Sequence, residues 1–429
     1  MKALLYVAVF FSTMAAHPLI SLSTPIGGLA PFRFIIIMTA LVILVRGIFN
    51  NNGRILISKT YNRYSVQFMF VWLIYALLSV FWAVDLHDWF RNIFFLSIGV
   101  VSVVIFVNVF NDRENIIEAF YALQYGIIIQ QLAGWHDVIT RQYYFLAMSG
   151  KSEKLVGRSY EILVHGPLRF PMGMTCDPND FATLMFIGVF VSWALYKLGT
   201  GKFRYLYFLA MIDEAILLVM TSSRANILGL GLAIISVLFV DSGVGSKVKY
   251  AILIATALII VSLSGAMLFI EEQLTFNFSG VGKVGSDVVR TNLIKNGLEF
   301  LIQTCGFGVG AGQVESWMKT DKIYEVLRIT NMHNWWAELL TNYGIFITAL
   351  YLLFYCRMFL DFYKAIRHKY LNRRDKVICL SLCAIMAGYV LASISSSSVI
   401  STECIWVFWS LCITYQAILG QNIRKSSRL

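Results

Sequence analysis

FATLMFIGVFVSWALYKL, residues 181–198, carries no charged side chain before Lys197, and Thr183, Ser192 and Tyr196 are its only hydroxyl residues ahead of that point. Eighteen residues at helical rise make a rod of about 27 Å. That is close to the ~30 Å hydrocarbon thickness of a bilayer. In such a medium only a helix, or a closed barrel, satisfies its own backbone. Blocks of the same kind recur to both ends of the 429-residue chain, which is 58% hydrophobic and 15% aromatic, with a mean hydropathy of +0.70. Charged residues make up 14%, against about 25% in a soluble domain. That deficit excludes a soluble enzyme and a disordered chain. It also excludes a nucleic-acid binder, although the net charge is 35 − 24 = +11. The fold class expected is all-α: a polytopic membrane helix bundle of about 12 transmembrane helices, forming one integral membrane domain over residues 1–429.

The twelve apolar segments are 4–22, 34–45, 66–84, 93–110, 116–135, 181–198, 205–220, 227–240, 251–270, 335–355, 377–394 and 400–419. The first has the position of a signal peptide, but it is long and lacks a clean small-x-small cleavage site, so it reads as a span. With the amino terminus inside and the spans alternating, 21 of the 35 basic residues fall on the cytoplasmic side. Nearly all of them are in short loops, as the positive-inside rule requires. Both termini are then cytoplasmic, and the net positive charge anchors the protein to the inner leaflet. Two loops on the outer side are too long for connectors, 136–180 and 271–334. Cys176 and Cys305 lie one in each and can pair in an oxidising compartment. No metal-ligand spacing occurs in the chain, so no metal and no cofactor is expected.

Several polar residues need a reason. Asp213 and Glu214 lie mid-span, where charge is costly and marks either function or a structural pair. TSSRAN, residues 221–226, joins two spans with almost no loop and pins Arg224 at the outer membrane face. Asp213 precedes Arg224 by eleven residues, about 16 Å along one helical line. Arg224 is either a snorkelling arginine or a phosphate ligand. SDVVRTNLIKNGLEFL, residues 286–301, has Val289, Leu293 and Phe300 at roughly helical spacing, with Arg290 elsewhere on the wheel. It reads as a helix lying in the outer interface, or as a packing helix with solvated charges. GFGVGAG, residues 306–312, is either a phosphate-approaching glycine loop or a turn. NMHNWWAELLTNYGIF, residues 331–346, runs into the tenth segment and fixes His333 at a helix start.

Arg224, Arg290 and His333 thus fall on one side of the membrane. Two guanidiniums suit bidentate contacts to phosphate oxygens, and an imidazole takes a proton near neutral pH. Two phosphate clamps and a base are the minimal set for displacing a lipid pyrophosphate with a hydroxyl nucleophile.

On these motifs, over about residues 65–420, the chain resembles the O-antigen ligase and O-antigen polymerase family of bacterial C-type glycosyltransferases. TSSRAN is similar to the family's T-x-S-R-G/A element, which makes Arg224 a pyrophosphate-binding residue. Arg290 matches the second such arginine. HNWWAELLTNYGIF resembles the family's H-N-x-x-L-E-L-L-x-x-x-G-x-x element and makes His333 the catalytic base or acceptor-positioning residue, followed by Asn334. CDPNDFA, residues 176–182, resembles a P-N-x-x-A stretch and brings in Asn179. WAVDLHDWFR, residues 82–91, resembles a short outer loop and brings in Asp85 and Arg91. With Asp213 and Glu214 these complete the supporting residues. Two departures concern the loop: Ile294 stands where family members often have Trp, and Gln303, Thr304 and Cys305 where they often have Pro.

The resemblance implies a polyprenyl-pyrophosphate-linked oligosaccharide donor of the undecaprenyl type, a glycan or lipid-linked acceptor, and no metal or cofactor. Membrane lipids are the surroundings, and chain-length regulator or flippase proteins are partners. It places the protein in the bacterial cytoplasmic membrane with its active site on the outer face. Polymerisation of surface polysaccharide repeat units is the activity expected first, and ligation to a lipid or wall acceptor is the alternative. A glycolipid flippase or transporter is a reading from another class, favoured only by Asp213 and Glu214; no internal repeat supports it. A non-catalytic scaffold leaves the three-residue constellation unexplained.

Overall fold

The computed structural model describes residues 1–50, 63–149, 170–241, 246, 286–326, 329–369, 371–396 and 399–426, except residues 16, 23 and 25–27. The segment 251–270, and residues 151–169 and 271–285 of the two long loops, lie outside them.

Among the described residues the regular structure is all helical, apart from one isolated bridge between Leu22 and Leu29. The helices are α1 (Lys2–Phe11), α2 (Pro31–Asn50), α3 (Arg63–Leu78), α4 (Leu86–Val109), α5 (Arg113–Thr140), α6 (Tyr144–Met148), α7 (Pro178–Leu198), α8 (Arg204–Met220), α9 (Arg224–Asp241), α10 (Ser286–Gln303), α11 (Val314–Thr320), α12 (Trp335–Ile366), α13 (Arg373–Ala392) and α14 (Glu403–Ser426). Six described stretches are long and apolar enough to cross a membrane: Tyr64–Trp82, Leu86–Val109, Pro178–Leu198, Trp335–Ile366, Arg373–Ala392 and Glu403–Gly420. The protein is therefore a multi-pass membrane protein.

The first apolar segment, 4–22, is not one continuous helix. α1 passes into a single 3₁₀ turn, Ser12–Met14, and the chain then turns at Ala15, with φ 51°. Ser12 Oγ donates to the Val9 carbonyl (2.7 Å) and Thr13 Oγ1 to that of Phe10 (2.9 Å). Side chains that compete in this way for backbone acceptors weaken a helix where it should continue. Thirteen residues give a rod of about 20 Å, short of a span.

The two ends of the bundle differ. At one, Arg113 pairs with Asp375 (3.2 Å), Arg374 with Glu114 (2.9 Å) and Lys2 with Asp112 (3.9 Å), which gathers the starts of α1, α5 and α13. The other end gathers the starts of α2, α4, α7, α9, α12 and α14 together with α10 and α11.

α10 does bury the stripe read from its sequence. Val289, Leu293 and Phe300 pack on Val309, Val314 and Met332, a small core of the loop itself. Its opposite flank leaves Ile294, Leu298 and Ile302 exposed. The stripe is thus a packing face.

The glycine loop has a structural task. Its amides are used internally: Val309 N donates to the Thr341 carbonyl (2.8 Å), Gly310 N to that of Asn342 (3.0 Å), Gly308 N to Thr304 Oγ1 (3.1 Å) and Ala311 N to Ser79 Oγ (3.0 Å). Spent in this way, they leave no phosphate cradle. The loop is instead laid on a kink in α12 at Gly344, with φ 73° and ψ −177°, conformations essentially reserved for glycine. A Cβ there would meet the carbonyl oxygens of Gly306 and Phe307 at 2.3 and 2.4 Å. Gly344→Ala is therefore expected to destabilise by about 1–3 kcal/mol. A lower thermal unfolding midpoint in detergent, with reduced yield, is the readout; wild-type stability would show that the loop is not locked here. After the kink, 22 residues from Ile345 to Ile366 remain, about 33 Å, enough to cross the membrane alone.

Candidate active site

TSSRAN forms a tight reversal between α8 and α9, with Ser222 in the left-handed region, φ 56°. Arg224 opens α9 and is exposed. It therefore belongs to the next, reversed helix and does not continue the line of Asp213, which corrects the spacing argument. The reversal is clipped in place by small polar side chains. Ser223 Oγ donates to Asn179 Oδ1 (2.9 Å), and Asn226 Nδ2 donates to Ser223 Oγ (2.9 Å) and Ser395 Oγ (3.3 Å). Thr183 Oγ1 donates to Asn226 Oδ1 (3.1 Å). Asn179 is thus the brace that ties the start of α7 to the Arg224 turn. Two residues earlier, Asp177 caps α7 by accepting from the amides of Asn179 (2.8 Å) and Asp180 (3.1 Å).

His333 lies half-buried on the other side of this junction. Its backbone is left-handed, φ 46°, and its N–H donates to Asn331 Oδ1 (2.8 Å). Asn334 then caps α12, its Oδ1 accepting from Trp336 N (3.1 Å) and Ala337 N (3.3 Å). Trp335 N donates to the Ser393 carbonyl (3.0 Å), so the His333 loop and the Arg224 turn both rest on residues 393–396. A non-glycine residue in the left-handed region costs of order 1–3 kcal/mol and persists where surrounding contacts enforce it. Such residues concentrate at functional sites. Cys176, Ser222 and His333 adopt this geometry next to Asp177, Arg224 and the cap of α12.

Burial holds the His333 imidazole below its usual pKa of 6.5. Asp177 and Glu315 oppose that shift, and the positive charge of Arg290 reinforces it. Arg290 is therefore within electrostatic reach of His333, as are two carboxylates that the sequence did not flag. Glu315 Oε1 also accepts from Asn331 Nδ2 (3.2 Å).

Beside this loop is a polar cavity of about 460 Å³ between the starts of α2, α4, α7, α12 and α14. Arg91 lines it; Arg224, Arg290 and His333 do not. Asp85 caps α4, accepting from His87 N (2.8 Å) and Asp88 N (3.1 Å), and its amide donates to Gln313 Oε1 (2.8 Å). Its carboxylate secures a helix start rather than lining the cavity. Four cavity residues escaped the sequence reading. Arg33 and Glu403 form a buried ion pair at 2.6 Å, with Arg33 over the Phe95 ring at 4.4 Å. Glu338 and Asn342 are buried on one face of α12. Glu338 lies inside the motif quoted around His333, whereas Arg33 and Glu403 meet from opposite ends of the chain and carry no local signal.

Asp213 and Glu214 are bound into the helix bundle. Asp213 Oδ1 accepts from Trp135 Nε1 (2.8 Å). Glu214 is fully buried, its Oε1 accepting from Gln124 Nε2 (2.6 Å) and Ser192 Oγ (3.0 Å). They join α8 to α5 and α7. Cys176 is buried and Cys305 exposed, and neither is in a disulfide, so the pairing considered from sequence is not formed.

An apolar groove of about 670 Å³ runs between α7, α8 and α9, lined by Phe190, Trp193, Val219, Met220, Leu230 and Ile234 among others. Val219 and Met220 carry it up to the Arg224 turn.

A family model described as O-antigen ligase matches residues 183–352, a span holding Arg224, Arg290 and His333 but not Asp85, Arg91 or Asn179. The chain is also 26% identical over 364 residues to the teichuronic acid biosynthesis protein TuaE of Bacillus subtilis (strain 168), covering 83% of this chain and 72% of that protein. The motif resemblance and these matches agree: this is a multi-pass bacterial membrane protein whose residues 183–352 are similar to the O-antigen ligase family.

Proposed function

We propose that the protein transfers a polyprenyl-pyrophosphate-linked glycan to a hydroxyl acceptor at the outer face of the cytoplasmic membrane, polymerising surface polysaccharide repeat units. The observation that carries this reading is the shared seat of the His333 loop and the Arg224 turn on residues 393–396, with Arg290 in electrostatic reach of His333. In this mechanism Arg224 and Arg290 hold the donor pyrophosphate and the groove below Arg224 takes the polyprenyl tail. His333 removes the acceptor's hydroxyl proton as its oxygen attacks the sugar carbon bonded to pyrophosphate; that C–O bond breaks and lipid pyrophosphate leaves. The basic residues at the opposite end of the bundle, Lys2, Arg113 and Arg374, support an outward-facing site and cytoplasmic termini.

The relative's name, teichuronic acid biosynthesis protein, is consistent with polymerisation. The description of the matching family model favours ligation as the second reading. Deleting the gene and resolving surface glycan on a gel separates them. Loss of the ladder with single units retained is the expected result. A ladder stranded on the polyprenyl carrier would establish a ligase. Loss of all surface glycan with units trapped inside would establish a flippase and overturn transfer.

A further inference from the structure

The cavity beside His333 has the wrong charge for the donor headgroup. Five carboxyls line it, those of Asp88, Asp180, Glu315, Glu338 and Glu403, against the two guanidiniums of Arg33 and Arg91. Arg33 is already committed to Glu403 at 2.6 Å. With the Arg33–Glu403 pair set aside and the fully buried Glu338 left uncounted, Asp88, Asp180 and Glu315 still outnumber Arg91, which disfavours a pyrophosphate or an acidic sugar. Yet the interior is built for polar contact. Glu338 is 6% exposed and Asn342 is 0% exposed, and both line the cavity. Glu338 Oε2 and Asn342 Nδ2 have no hydrogen-bond partner among the described residues. Leaving such groups unpaired is costly, and a buried polar group without a partner calls for an explanation. They stand four residues apart, neighbours on one helix face. One is an acceptor and the other a donor. Asn342 is held in place because its Oδ1 accepts from Val314 N (3.0 Å). The volume, about 460 Å³, is within the range of small-molecule sites, about 300–1,000 Å³.

We infer that this cavity binds a neutral, hydroxyl-bearing sugar ring of the acceptor, with Glu338 accepting from one hydroxyl and Asn342 donating to a neighbouring oxygen. The assignment to the acceptor rests on the transferase reading above. The seat itself rests on the cavity. Its position supports the acceptor role: Asn331 and Glu315, which line the cavity, also contact or act electrostatically on His333. A sugar held there presents a hydroxyl toward the imidazole, while the donor approaches from the arginine side.

The test uses the purified full chain in nanodiscs without donor. The probes are the methyl glycosides of glucose, galactose, N-acetylglucosamine and glucuronic acid, followed by saturation-transfer NMR. At least one neutral glycoside is expected to bind. Its affinity should fall about tenfold or more in Glu338→Gln, which keeps the shape and replaces an acceptor oxygen by a donor. Asn342→Asp keeps the acceptor for Val314 N and turns the free donor into an acidic acceptor, and should weaken the same glycoside. In the wild type, a diazirine form of that glycoside should label peptide 331–343, a readout that needs no variant to fold. Absence of neutral-glycoside binding, unchanged affinity in both variants, or labelling only elsewhere overturns the site. Binding of the glucuronide alone overturns the neutral assignment. No turnover enters the assay. If gene deletion leaves surface glycan intact while Glu338-dependent binding holds, the transferase reading fails and the sugar site stands. Transfer that continues without such binding fails the site alone.

Discussion

His333→Gln is expected to lose roughly 10²–10⁴-fold in transfer rate while still binding donor, the usual worth of general-base assistance. Glutamine donates and accepts hydrogen bonds but cannot take the acceptor's proton, so it separates a base from a residue that only positions the acceptor. The pH profile gives a second, independent readout. The base must be neutral to act. Burial lowers the His333 pKa from 6.5, and Arg290 pushes the same way against Asp177 and Glu315. A lowered pKa keeps the imidazole unprotonated further into acid. The acid limb of kcat/KM, which reports the free enzyme, should therefore lie below pH 6.5, not at it. Neutralising Glu315 in Glu315→Gln removes a group that raises the pKa and should move the limb lower still. Near-normal turnover in His333→Gln, with an unchanged profile, would leave His333 a structural residue and remove the base from the mechanism.

The spans were legible wherever lipid and protein core make the same demand. Residues 181–198 read as one uninterrupted apolar run and fold as α7, Pro178–Leu198, because either environment needs an apolar helix of that length. Residues 4–22 misled for a local reason. Hydropathy counts Ser12 and Thr13 as weak polar residues, whereas their hydroxyls bond the Val9 and Phe10 carbonyls where the helix ends. The alternate glycines 306–312 announced an unusual backbone, but not its purpose. That purpose depends on Gly344, in contact with Gly306 and Phe307 only after folding.

The candidate site divides along the same line. Arg224, Arg290 and His333 stand in local motifs that identify themselves by order and spacing. The braces around them do not. Asn179 was named from a motif, yet its task, holding Ser223 across two helices, depends on three-dimensional packing. The cavity was invisible because Arg33 and Glu403 are 370 positions apart and Arg91 belongs to a third element. Glu338 was in view five residues beyond His333, but sequence alone gives no sign that its carboxyl is buried beside an open volume.

Arg224→Lys and Arg290→Lys are each expected to cut transfer by an order of magnitude or more. Lysine keeps the positive charge and loses the planar fork that holds two phosphate oxygens together. One charge-assisted hydrogen bond lost is worth about 1.5–3 kcal/mol, or about ten- to over a hundredfold in rate. The two positions serve this purpose by different means. Arg224 is carried at the first residue of α9, where the helix N-terminus adds its own partial positive charge. Arg290 is carried on α10, whose Val289 and Leu293 are anchored in the loop core, so its exposed guanidinium starts from a fixed base. As the sugar–oxygen bond breaks, negative charge accumulates on the departing pyrophosphate. Guanidiniums aimed there bind the transition state better than the ground state. The rate constant kcat should therefore fall more than KM for the donor rises, whereas a residue that merely attracts an anionic lipid would affect KM alone. Because both arginines act on one group, the double variant should lose less than the product of the single losses. The measurement is transfer by membranes containing equal amounts of each variant, with donor concentration varied. Normal glycan synthesis by both Lys variants at wild-type abundance would show that the pyrophosphate is held elsewhere.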